Sequence, residues 1–207
     1  LGKDALDANT TGASNVAAGE GALAANTTGN YNQAFGKRAL YTNVSGSYNN
    51  AFGNDALKVN TASNNTALGH SALSANTTAS NNTAVGYQAG YANTTGTANV
   101  AVGTSALSAN TTASYNTALG YAALSTNITG AQNTAVGYSA LTLATGADNT
   151  AVGSQALASV AAGTFNTALG RSAGQSVTTG TLNTFIGGYA GDGTDDGNNC
   201  VAIGYAA

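Results

Sequence analysis

The 207-residue sequence has no proline, no methionine, no tryptophan and one cysteine, and only 6% of its residues are charged. About a quarter would be usual, and each shortage removes a class of function. Five Lys and Arg stand against eight Asp and Glu, giving a net charge of −3 with no basic cluster. Nucleic acid and anionic membrane surfaces are therefore excluded as partners, since both require concentrated positive charge. Intrinsic disorder pairs low hydrophobicity with high net charge, and a chain that is 43% hydrophobic with a net charge of −3 has neither. No apolar run approaches the roughly 20 residues of a membrane-spanning helix, and no basic-then-apolar leader opens the sequence. A lone Cys200 rules out an intrachain disulfide framework. The absence of methionine is the mark of a processed chain or a piece of something longer.

What the chain has instead is 28 glycines, 30 threonines and 26 asparagines, a composition that disfavours long helices. These residues are ordered by a repeat. One glycine recurs at Gly2, Gly19, Gly36, Gly53, Gly69, Gly86, Gly103, Gly120, Gly137, Gly153, Gly170, Gly187 and Gly204. Ten of the twelve intervals are 17 residues, and two (Gly53 to Gly69, Gly137 to Gly153) are 16. The unit reads N-T-A-V-G-Y-x-A-L-x-x-N-T-T-G-x-x, and nothing interrupts it, so residues 1–207 form one repeat domain.

A unit this short cannot hold two packed helices, but it fits one coil of a parallel β-solenoid with two short strands. The recurring Gly marks one corner and the Asn-Thr-Thr-Gly segments (Asn26 to Gly29, Asn93 to Gly96) mark the other. About twelve coils at roughly 4.8 Å spacing make a rod of about 55–60 Å. The missing proline agrees, because every strand lies between neighbours that need its N–H. Ala stands three residues after each corner Gly (Ala89, Ala106, Ala123, Ala140), usually followed by Leu, and a larger apolar residue such as Val102 or Ile203 precedes the Gly. Adjacent apolar residues (Ala84 with Val85, Ala106 with Leu107) point to opposite faces of a strand. One face fills the coil, and the other is expected to meet another copy of the chain.

The last repeat, Asn199-Cys200-Val201-Ala202-Ile203-Gly204, resembles the N-S-V-A-I-G motif of the YadA-like heads of trimeric autotransporter adhesins, with Cys200 where Ser is usual. The other repeats carry weaker forms such as N-T-A-V-G, and similar repeats occur in phage tail-fibre proteins. The resemblance implies a left-handed parallel β-roll, a homotrimer, an extracellular place on a cell surface or virion fibre, and attachment as the role. The repeat here is longer than the family's shorter versions, by residues in the N-T-T-G turn. The expected function is thus a structural and adhesive segment of a longer fibre protein, whose partners are its own copies and a host-surface or matrix protein or glycan. A purely architectural filament or sheath subunit and an ice-binding solenoid are the alternatives. Ice binding would want paired Thr columns, and only one column (Thr66, Thr83, Thr117, Thr134, Thr150, Thr167) presents itself.

No enzyme is expected and no cofactor. His70 is the sole histidine and falls in a variable, solvent-facing position, and Cys200 has no histidine near it in sequence. The glycines follow the coil period and contain no phosphate-binding loop. Asp192, Asp195 and Asp196 could offer oxygen ligands to Ca²⁺ but lack EF-hand spacing, so an ordinary acidic turn competes. Asn four residues before the corner Gly (Asn82, Asn99, Asn116, Asn133 and seven others) and a second Asn column through Asn9, Asn26, Asn43, Asn60, Asn76, Asn93, Asn110 and Asn127 predict hydrogen-bonded structural ladders. The Asn-Thr-Thr triplets also match a glycosylation sequon. Tyr87, Tyr121, Tyr138 and Tyr205 share the column after the corner Gly and are the candidate binding residues, against the simpler reading that they stack over strand edges.

Overall fold

The computed structural model of the chain describes residues 2–193 and 197–207. It is a parallel β-solenoid of twelve three-residue strands, from β1 (Val16–Ala18) to β12 (Val201–Ile203), hydrogen-bonded in sequence order into one sheet. The register is the sequence period itself, with Ala84 facing Ala101 and Ala118 facing Ala135. The two 16-residue coils keep this register, since Ala51 faces Ala67 and Ala135 faces Ala151. No helix occurs among the described residues.

Each coil supplies one strand, where the sequence suggested two. The segment carrying Ala106 and Leu107 is a turn, because the leucine takes left-handed backbone angles (Leu107 φ 52°, Leu124 φ 51°, Leu141 φ 50°). Strand alternation does not apply there, so Ala106 and Leu107 are both buried instead of facing opposite ways. A left-handed residue costs about 1–2 kcal/mol. Burying the leucine side chain gains roughly 1.5–3 kcal/mol, enough to hold it. The turns still bond from coil to coil, as in Leu107 N–H to the Ala123 carbonyl at 2.9 Å and Leu124 N–H to the Ala140 carbonyl at 3.0 Å.

The corner glycine is required by close approach. Gly103 has φ 132°, and a Cβ added there would lie 2.4 Å from the Gly120 carbonyl oxygen in the next coil. Inside the coil, the central strand alanines (Ala84, Ala118, Ala135), the Ala and Leu of the turn, and the asparagines form a continuous buried column.

The asparagines hold neighbouring coils in two ways. In the longer column each side chain engages the main chain of the next coil: Asn82 Oδ1 accepts the Asn99 N–H at 2.9 Å, and Asn82 Nδ2 donates to the Gly96 carbonyl at 2.9 Å. Asn133 does the same with the Asn149 N–H at 2.9 Å and the Gly146 carbonyl at 2.8 Å. Asn99 bonds the Asn116 N–H and the Ala113 carbonyl, both at 2.9 Å. Asn116 accepts from the Asn133 N–H at 3.0 Å, but its buried Nδ2 meets no partner, in the coil preceding the divergent turn Asn127-Ile128-Thr129-Gly130. The shorter column is amide to amide: Asn93 Nδ2 donates to Asn76 Oδ1 at 2.8 Å, and Asn110 Nδ2 to Asn93 Oδ1 at 2.7 Å. Each also closes its own turn, as Asn93 Nδ2 does on Gly96 at 2.9 Å.

Candidate functional surface

The inward strand positions are Ala in nearly every coil, and the positions on either side of them face out. One outer column holds Phe35, Phe52, Leu68, Leu119, Leu169 and Ile186, exposed at 37–50%, with half-buried Val85, Val102, Val136 and Val152 between them. Phe35 and Phe52 stack with ring centroids 4.6 Å apart. The second outer column is the threonine row, interrupted by Val100. Twelve rungs of three residues make this face about 55 Å long, about 10 Å wide and roughly 550 Å² in area. No charged residue lies between Lys58 and Asp148, so the middle of the rod sets no charge against close association.

Charge gathers in the first coils, where it pairs along the axis. Lys37 Nζ lies 3.1 Å from Glu20 Oε2, and Arg38 meets Asp55 through Nε to Oδ1 at 2.8 Å and Nη2 to Oδ2 at 2.9 Å. Both pairs join neighbouring coils on the outside, as the asparagines do within.

The candidate tyrosines occupy the exposed column beside the sheet. Tyr121 and Tyr138 lie on successive coils with centroids 5.5 Å apart and planes 9° from parallel. Tyr87 stacks on His70 at 5.6 Å and 12°, so the sole histidine joins this aromatic column. Tyr205 instead meets Tyr189 edge-on at 5.8 Å, and Arg171 lies over the Tyr189 ring at 5.5 Å. A second exposed stack pairs Tyr31 with Tyr48 at 5.1 Å.

The remaining candidates divide plainly. Asp195 and Asp196 lie outside the described residues; Asp192 accepts a hydrogen bond from Ser176 Oγ at 2.9 Å. Among the described residues no three His, Cys, Asp or Glu side chains gather as a metal site would need. Cys200 immediately precedes β12 and takes the twelfth place of the longer asparagine column. Its N–H donates to Asn183 Oδ1 at 2.8 Å, and its half-buried thiol lies 3.7 Å from the Asn198 carbonyl. Counting four residues back from Gly204 would have found this position. Asn26, Asn93 and Asn110, each opening an Asn-Thr-Thr sequon, are buried and withheld from any enzyme acting on the folded chain. Among the described residues no helix is long and apolar enough to cross a membrane. A scan against protein-family models, a search of curated proteins and a search of solved structures each give no match to this chain.

Proposed function

We propose that this chain is a rigid segment of an extracellular attachment fibre, built as a homotrimer whose outer sheet faces are buried against one another. The observation that carries the reading is the outer sheet face, on which exposed apolar side chains recur from Phe35 to Ile186 beside the threonine row. Its partner is a second copy of the chain, because only a surface with the same rung spacing can match such a face over its whole length. The resemblance of Asn199 to Gly204 to adhesin head repeats supports the trimer, the left-handed coil and the attachment role. In that assembly the tyrosine columns flank the buried face, where repeated weak contacts act together through avidity.

Sedimentation equilibrium of the wild-type chain is expected to give a trimer. Leu119→Asp with Leu169→Asp, which places carboxylates on the shared face, should give folded monomers by circular dichroism. A wild-type monomer at concentrations where such an interface saturates would overturn the reading. An architectural rod without a ligand is the second reading, favoured by the coil-to-coil stacking of Tyr121 on Tyr138. Tyr121→Ala with Tyr138→Ala separates the two: it lowers binding to cells or matrix if the fibre is adhesive and leaves an architectural fibre unchanged.

A further inference from the structure

The column after the corner glycine reads His70, Tyr87, Thr104, Tyr121 and Tyr138 on five successive coils. Below Thr104 the His70 and Tyr87 rings are nearly parallel, and above it the Tyr121 and Tyr138 rings are too. Tyr87 and Tyr121 stand two coils apart, about 10 Å at the usual strand spacing. Their inner faces therefore bound an open slot one coil high, with exposed Thr104 as its floor and half-buried Gln88 and Ser105 in the adjoining column. Nowhere else in this column do two aromatic rings flank a single smaller residue among the described positions. Ser154 lies between Tyr138 and Arg171. At Gly188, an added Cβ would already touch Tyr205 at 3.5 Å.

We infer that the Tyr87–Thr104–Tyr121 slot binds a pyranose ring. A ring entering at the Thr104 level lies about 5 Å from each wall. Flat carbon surfaces make good contact at about 3.5–4.0 Å, so a planar aromatic ligand reaches one wall and leaves the other bare. A saturated sugar ring is thicker, and its axial C–H bonds project from both faces. Those bonds, polarised by neighbouring oxygens, point their positive ends at the negative faces of both tyrosines. The Thr104 hydroxyl, Ser105 and the Gln88 amide supply hydrogen-bonding groups at the slot's base and side. The inference deepens the reading of the chain as an adhesive segment: it rests on that reading and names a glycan as the attachment target.

Saturation-transfer NMR with the methyl pyranosides of glucose, galactose, mannose and N-acetylglucosamine, and with phenol as a flat control, tests it. At least one pyranoside should receive transfer at its ring protons. Thr104→Tyr, which completes a column that already accepts Tyr at Tyr121 and Tyr138, should abolish that transfer, and Tyr87→Ser should weaken binding about tenfold. Transfer to no sugar, transfer that survives Thr104→Tyr, or transfer to phenol alone overturns the inference. Sedimentation of the same samples keeps the two proposals apart. Trimers that bind no sugar remove the slot and leave the fibre, whereas monomers whose sugar binding is lost in Thr104→Tyr keep the slot and remove the trimer.

Discussion

In the coils up to Asn127, the inner position seven residues after the corner glycine holds the shorter asparagine ladder; in the coils that follow, it holds Ala144, Val160 and Val177, all buried. The same late coils exchange other core residues. Gly174 and Gly191 stand where the earlier coils, Gly90 excepted, have leucine, and Phe185 stands where they have alanine. A Cβ at Gly174 would lie 2.5 Å from the Phe185 ring and one at Gly191 only 2.2 Å from it, so a single phenylalanine fills the room of two leucines. The longer asparagine column runs through both regions, with Asn166 bonding the Asn183 N–H at 3.1 Å and the Gly180 carbonyl at 2.7 Å. The difference separates two kinds of polar interior. Amides that bond mainly one another can leave together, since little is stranded when both partners go. Amides that bond the main chain cannot, because the backbone groups remain.

The contrast can be broken most severely at Phe185. Phe185→Ala should cost about 3–5 kcal/mol, since two glycines leave the cavity nothing to collapse onto. Hydrogen exchange of the Thr184–Ile186 amides would report it, and adding Gly174→Leu with Gly191→Leu should restore protection by rebuilding the interior of the early coils. Asn133→Ala is next. It strands the Asn149 N–H and the Gly146 carbonyl and should cost about 2–4 kcal/mol, read as lost protection at Asn149. The smallest effect belongs to Asn93→Val, which imitates Val160: about 1 kcal/mol, because Asn82 still serves the Gly96 carbonyl. Equal losses at Asn93 and Asn133 in the same exchange experiment would erase the distinction between the columns.

Much of this fold could be read directly. The glycine period set coil number and register, and the strand alanines and their outward neighbours fell on the faces that alternation assigns. Both asparagine columns were visible as columns. Their division of labour was not, because spacing cannot say whether an amide bonds a side chain or the main chain. The turn at Ala106 and Leu107 escaped for a related reason: two adjacent apolar residues look like two strand faces, and nothing local announces a leucine at φ 52°. At the surface, the tyrosine column and the places of His70 and Thr104 in it were legible by counting from the corner glycine, but the stacking of rings on either side of Thr104 needed the ring geometry.

The 16-residue coils carry a consequence for how such a chain arises. Each lacks one residue of its Asn-Thr-Thr-Gly corner, yet the strands on either side meet as they do elsewhere. A coil touches only its neighbours, so excising one whole unit joins two surfaces that already fit. Recombination between such similar stretches of a gene can therefore lengthen or shorten the rod in steps of about 4.8 Å, and reach becomes a quantity inherited by counting.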